Sequence, residues 1–227
     1  MWLPERVSES LPIFPLGAVL FPYMPLQLRL FEERYLVMLS KVLETEPSEF
    51  GVVLIERGQE VGGGEQRFRH GTVAQIAQLE APEGYVVLVA VGTRRFTVDE
   101  WMPDNPYPEA SVTDVPLLDW HDDLLPLRDE AEIAVRSVLA LAAEHGEQEW
   151  PADLQLSEEP RAAAWQIAGL APVGPLDQVK LLQSTSMREL LTSVIALTRD
   201  VEETYRTIWP DAGEAGSDPG STGEDLA

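Results

Sequence analysis

The chain has no cysteine among its 227 residues, which excludes a disulfide framework, a thiolate nucleophile and a cysteine-ligated zinc site. Lysine is almost as scarce, with only Lys41 and Lys180. No uncharged apolar run reaches the roughly 18 residues that a membrane span needs. The opening decapeptide, Met1 to Ser10, lacks the basic start and apolar centre of a signal peptide. Composition therefore leads us to expect a cytoplasmic protein with no membrane partner.

Positive charge is the other shortage: 16 basic residues face 39 acidic ones, for a net charge of −23. Neutralising phosphates takes a basic surface. The best basic candidates are the short clusters Arg67/Arg69 and Arg94/Arg95, and a pleated strand sends the adjacent Arg94 and Arg95 to opposite faces. No nucleic-acid partner is expected. What the chain has in plenty is hydrophobic residues, at 44%, ample for a core at this length.

The organising stretch is Leu11 to Tyr35, LPIFPLGAVLFPYMPLQLRLFEERY. Its apolar residues fall in short extended segments bracketed by Pro12, Pro15, Pro22 and Pro25, and the spacing turns helical from Phe31. Because proline cannot donate to a ladder, such a segment belongs on sheet edges and at barrel corners. It opens a small closed β domain. Glu32–Glu46 reads as a helix with Tyr35, Leu36, Met38, Leu39, Val42 and Leu43 on one face. Phe50–Glu56 is a buried strand, and Arg57–Arg69 is a loop around Gly62, Gly63 and Gly64. Gly71–Leu79 and Tyr85–Val91 form a hairpin about Pro82-Glu83-Gly84; Gly92–Trp101 and Ala110–Leu118 supply two more strands.

From Asp119 the pattern is helical. Asp122 or Asp123 is positioned to cap a helix ending at Gly146, Pro160 begins a second, and Pro172, Gly174 and Pro175 stop and restart the chain before a short third. Ser186-Met187-Arg188-Glu189 fits a capping box opening a last helix. The terminal stretch from Asp211 to Ala227 is acidic and glycine-rich, and is expected to be a disordered tail.

The run LPIFPLGAVLFPYMPLQLRLFEERY resembles the opening signature of the Lon protease substrate-binding domain. The segments GTVAQI and VGTRRFTV, and later AGLAPVGPLDQ with its following leucines, are similar to further parts of that pattern, so the likeness extends over roughly residues 10 to 209. It implies an α+β fold: a PUA-like β pseudobarrel with one inserted helix, followed by a C-terminal α-helical bundle. The expected divisions are 1–118 for the β domain, 119–209 for the bundle and 210–227 for the tail. It also implies a stand-alone, non-catalytic protein that binds unfolded or client polypeptides, works with a protease as an adaptor in proteolysis or protein quality control, and uses no cofactor.

The catalytic alternatives find little in the residues. No Gly-Lys pair exists to build a phosphate-binding loop of the G-x-x-x-x-G-K-[ST] type. Ser184 and Ser186 lie near Lys180 in sequence, but capping accounts for Ser186 and nothing sets the lysine beside an activated hydroxyl. The glycine triplet reads as a loop tip and possible contact point, since neither a helix N-terminus nor a lysine follows it. His70, His121 and His145 are dispersed, and no metal site is expected. Of Phe21, Tyr23, Met24, Phe31 and Tyr35, most belong to the core, yet the rigid corner Pro22-Tyr23-Met24-Pro25 can display Tyr23 and Met24 outward, where a methionine suits promiscuous apolar recognition. The candidate substrate-binding residues are Tyr23, Met24, Phe31, Arg34, Tyr35, Gly63 and Arg94, with no catalytic residue. A second reading, a small-molecule binder or enzyme, uses the cleft between barrel and bundle, with Arg34, Arg94 or Arg95 orienting an anionic group.

Overall fold

The computed structural model describes residues 9–57, 66–145, 150 and 154–208. The glycine triplet and the acidic tail lie outside the described residues, as does most of the polar link before Leu154. The strands are β1 (Glu9–Leu16), β2 (Pro25–Leu30), β3 (Glu49–Arg57), β4 (Gln66–Glu80), β5 (Val86–Trp101) and β6 (Glu109–Asp114). Helix α1 (Glu33–Val42) is inserted between β2 and β3. After a 3-10 turn at Asp122–Leu124 come α2 (Leu125–Glu144), α3 (Pro160–Leu170), α4 (Pro175–Leu182) and α5 (Met187–Ile208). This is the expected α+β order of sheet, inserted helix and C-terminal helices.

The strand order is β2-β5-β4-β3-β1-β6, and a further pairing of β6 with β5 closes the last five into a ring. β2 is appended outside it. Closure depends on two strands that change partners along their length. β1 runs antiparallel to β6 over Glu9–Pro12 and then parallel to β3 over Ile13–Leu16. Each half has a neighbour on one side only, which is where Pro12 and Pro15 are tolerated. β5 pairs with β2 over its first half and with β6 over its second. Residues Tyr85–Val91 and Gly92–Trp101 were expected as two strands; they are one, because Gly92 stays in the β4 ladder opposite Ala74. Bulges between Thr72 and Ala74 and between Ile76 and Gln78 in β4 supply the bend.

The ring is filled by Leu11, Ile13, Val53, Val73, Phe96, Val98, Ala110 and Val112, contributed by each of its strands. A second, larger cluster lies between the outside of the sheet and the helices, and α1 joins it through Tyr35, Met38, Leu39 and Val42. At its centre is α3. Its buried residues Ala162, Ala163, Ala164, Trp165, Ile167, Ala168 and Leu170 leave almost no polar face, as befits a helix covered on all sides. Glu159 caps it, accepting from the backbone N–H groups of Arg161 at 3.2 Å and Ala162 at 2.6 Å.

Two capping expectations resolve differently. Neither Asp122 nor Asp123 caps α2: the 3-10 turn intervenes, no side chain caps the helix, and Asp123 instead pairs with Arg188 at 2.6 Å. Ser186 does accept from Glu189 N–H at 3.1 Å, whereas the Glu189 carboxylate reaches one residue further back, to the hydroxyl and N–H of Thr185. Those Thr185 bonds hold the carboxyl below its ordinary range.

Candidate functional site

The groove that commands attention follows from how the ring closes. Beyond Pro12, β1 has left β6, and β2 is bonded to β5 alone among the described strands. A seam therefore separates the second half of β1 from the outer edge of β2, and two clefts lie along it. One, of about 170 Å³, is lined by Phe14, Leu16, Leu28, Leu30, Phe31 and Tyr35 together with Gln27, Arg29 and Glu32. The other, of about 150 Å³, is lined chiefly by Leu16, Leu20, Phe21, Met24, Leu26 and Trp150, with Gly169 and Gln178 from the helical side. Leu16 belongs to both. Most of the lining side chains are apolar, with Gln27, Arg29 and Glu32 bringing polar groups into the cleft nearer α1 and Gln178 into the other.

The corner Phe21-Pro22-Tyr23-Met24 separates β2 from the helices and is fixed from both sides. Tyr23 holds a left-handed backbone, φ 63°, a conformation that costs a non-glycine residue about 1 kcal/mol or more. It is over-determined there: Tyr23 N–H donates to Gly92 O at 2.7 Å, Gly92 N–H to Met24 O at 2.9 Å, and Gln166 Nε2 to Tyr23 O at 3.3 Å. Gly92 allows the approach, since a β-carbon there would overlap the Phe21 carbonyl oxygen. On the other side Met24 fills the space left by Gly169 of α3.

The sequence candidates are thus scattered. Phe31 is 60% exposed and sits on the groove rim. Tyr35 contributes to the groove wall but is 3% exposed, its ring centroid 4.1 Å from that of Phe14. Met24, expected to be displayed outward, is 5% exposed because α3 covers it. Tyr23 is half-buried beside it. Arg34 is held by Glu32 at 3.2 Å and lies over the Tyr35 ring. Arg94 is away from the groove, ion-paired with Glu49 and with Asp114. Gly63 is outside the described residues. Sequence reasoning passed over Phe14, Leu16, Leu26 and Trp150; the last stood in a stretch read as a polar link, where a lone tryptophan among acidic residues was the available signal.

Arg95 has a role its sequence context did not announce. It is 4% exposed, and its guanidinium donates to three backbone carbonyls: Leu182 at 2.7 Å, Ser184 at 2.8 Å and Pro116 at 3.0 Å. The first two belong to the C-terminal end of α4, where the helix dipole favours a cation. The guanidinium also lies 5.0 Å from the Trp165 ring centroid. Burial pulls its pKa down to about 10, still charged at neutral pH. Beside it, His70 Nδ1 meets Gln183 Nε2 at 2.9 Å. Sheet and helices are pinned together here. With Arg34, Arg94 and Arg95 all engaged, the convergent anion-binding cleft of the second reading is not what the structure supports. Among the described residues no group of three metal-ligating side chains is assembled, and no helix is long and apolar enough to cross a membrane.

Residues 10–200 match the family described as the ATP-dependent protease La (LON) substrate-binding domain. The chain belongs to this family. The Lon N-terminal domain protein from Xanthomonas campestris has a similar structure, with TM-score 0.59 and 28% identity over 83% of this chain and 98% of that one. The N-terminal domain of the Mycobacterium avium complex Lon protease, at 19% identity and TM-score 0.59 over 85% of this chain and 99% of that one, shares the fold. Among curated proteins, the Lon protease of Brevibacillus choshinensis is 26% identical over 88% of this chain, which spans 26% of that protein's length. The LON peptidase N-terminal domain and RING finger protein of Schizosaccharomyces pombe is 24% identical over 94% of the chain and 49% of its own length. Membership of the Lon substrate-binding family carries a substrate-binding role with it.

Proposed function

We propose that this chain is a non-catalytic polypeptide-binding module that receives unfolded or client segments in the seam groove and serves as an adaptor for a protease or for protein quality control in the cytoplasm. The observation that carries this reading is the pair of apolar clefts joined at Leu16, with an exposed phenyl ring at their rim, in a member of a substrate-binding family. Linings built mostly from apolar side chains favour hydrophobic side chains of a client without demanding one sequence, as an adaptor for diverse clients requires. The arginines that a small anionic ligand would need are occupied elsewhere.

The test is titration of a labelled, permanently unfolded polypeptide with the intact chain, followed by fluorescence anisotropy. Saturable binding is expected, weakened about fivefold by Phe31→Ser, which removes an exposed ring without opening the core. Absence of saturable binding would count decisively against the reading, as would hydrolysis of the bound polypeptide by the purified chain.

A further inference from the structure

The backbone of β2 has a directionality that the apolar lining does not reveal. Gly92 N–H donates to Met24 O at 2.9 Å, and the register runs on through Pro25 opposite Val91 to Leu30 opposite Val86. In an antiparallel ladder, bonded and non-bonded pairs alternate. Met24 opposite Gly92 is a bonded position, so Leu26, Leu28 and Leu30 direct their backbone groups at β5. Gln27 and Arg29, opposite Val89 and Val87, direct theirs away from it. Their N–H and C=O groups form a row on the outer edge of β2, about 7 Å apart, with no strand beyond them among the described residues. Both residues also line the cleft nearer α1.

We infer that an extended segment of a client adds to the outer edge of β2 as an extra strand, bonding to Gln27 and Arg29 and entering the seam between β2 and β1. This rests on the polypeptide-binding reading above and specifies how that groove would be used. Only an extended backbone matches a row of alternating donors and acceptors at strand spacing, and backbone pairing supplies affinity that does not depend on client sequence. Alternate side chains of the added strand then face the Phe14, Leu16 and Phe31 wall.

Charge fixes the rest of the occupant's chemistry. Within the groove Glu32 is paired with Arg34, while Arg29 lies 3.7 Å over the Tyr85 ring, a contact that holds the guanidinium to one side without cancelling its charge. The chain as a whole carries −23, a field that repels acidic segments and draws basic ones. The partner is therefore an extended apolar segment flanked by lysine or arginine.

Proline at position 27 separates this from side-chain recognition alone. It removes the outward N–H while leaving the β2–β5 bonds, which are made by the flanking leucines. The probe is a peptide with a core as long as β2, six residues, alternating valine and threonine with a lysine at either end. Gln27→Pro is expected to weaken its binding about tenfold relative to Gln27→Ala, which trims the same side chain but keeps the backbone N–H. Equal binding by Gln27→Ala and a folded Gln27→Pro chain overturns edge addition. If the unfolded polypeptide still binds in that case, the polypeptide-binding reading stands; if neither probe binds the wild type, both fail. Should Gln27→Pro not fold, amide exchange of the wild-type chain decides. At saturating peptide, the Gln27 and Arg29 amides slow at least about tenfold if they are bonded, and unchanged exchange overturns the inference. Exchanging the peptide's lysines for glutamate is expected to weaken binding about tenfold, and equal affinity overturns the charge assignment.

Discussion

The two hydrophobic clusters of this molecule are built on different terms. The one inside the ring is wholly apolar, with Phe96 fully buried among five strands each paired in turn to the next. The one between sheet and helices is larger, admits a buried guanidinium, surrounds a left-handed Tyr23, and opens onto the seam groove. Except along β1, where each half pairs on one side only, the ladders of the ring satisfy its backbone groups, so its interior needs only volume. The junction joins elements that cannot bond to each other through ladders, so polar side chains take over that task. A binding groove can then lie at the junction without breaching the ring.

If that contrast is right, the clusters should fail differently. Phe96→Ala removes the largest side chain from the ring interior, where the surrounding ladders resist collapse. A loss of about 4 kcal/mol is expected from urea denaturation. Arg95→Ala is expected to cost about 3 kcal/mol, because it strands the carbonyls of Leu182, Ser184 and Pro116 in a buried site. Arg95→Lys should recover little of that, since an ammonium cannot present the same planar fork of donors. Were Arg95→Ala to cost less than about 1 kcal/mol, the junction would be held by apolar contact alone and the contrast would collapse.

Much of this arrangement is legible in the amino-acid sequence. Proline placement located the β1 and β2 segments and the corner between them, and alternation located β3 to β6, because both reflect backbone chemistry that is local. The long-range choices are not. Arg94 and Arg95 look alike in sequence, yet the pleat sends one to Glu49 and Asp114 and the other under α4. Met24 looked displayable because nothing near it in sequence announces that Gly169 will hold α3 against it. Gly92 looked like a strand end, and its use as a close-approach point depends on the Phe21 carbonyl far back in the chain. That β2 has no second neighbour among the described residues was invisible for the same reason: an edge is defined by what does not pair with it.

The smallest expected effect, and the one that ties Arg95 to its neighbourhood, is in pH. Burial, and then the positive charge of Arg95, lower the His70 pKa from its ordinary 6.5. The folded state thus resists a proton that the unfolded chain accepts. Stability is complete above pH 6.5 and is lost as pH falls below that value toward the lowered folded pKa. His70→Gln should flatten the profile across that window while leaving stability at pH 8 within about 0.5 kcal/mol of wild type. Arg95→Met, by removing the charge, should bring the His70 titration followed by proton NMR back toward its ordinary value. A titration unmoved by that substitution would mean that the two side chains do not sense each other, and that the polar pin between β4, β5 and α4 acts as separate contacts.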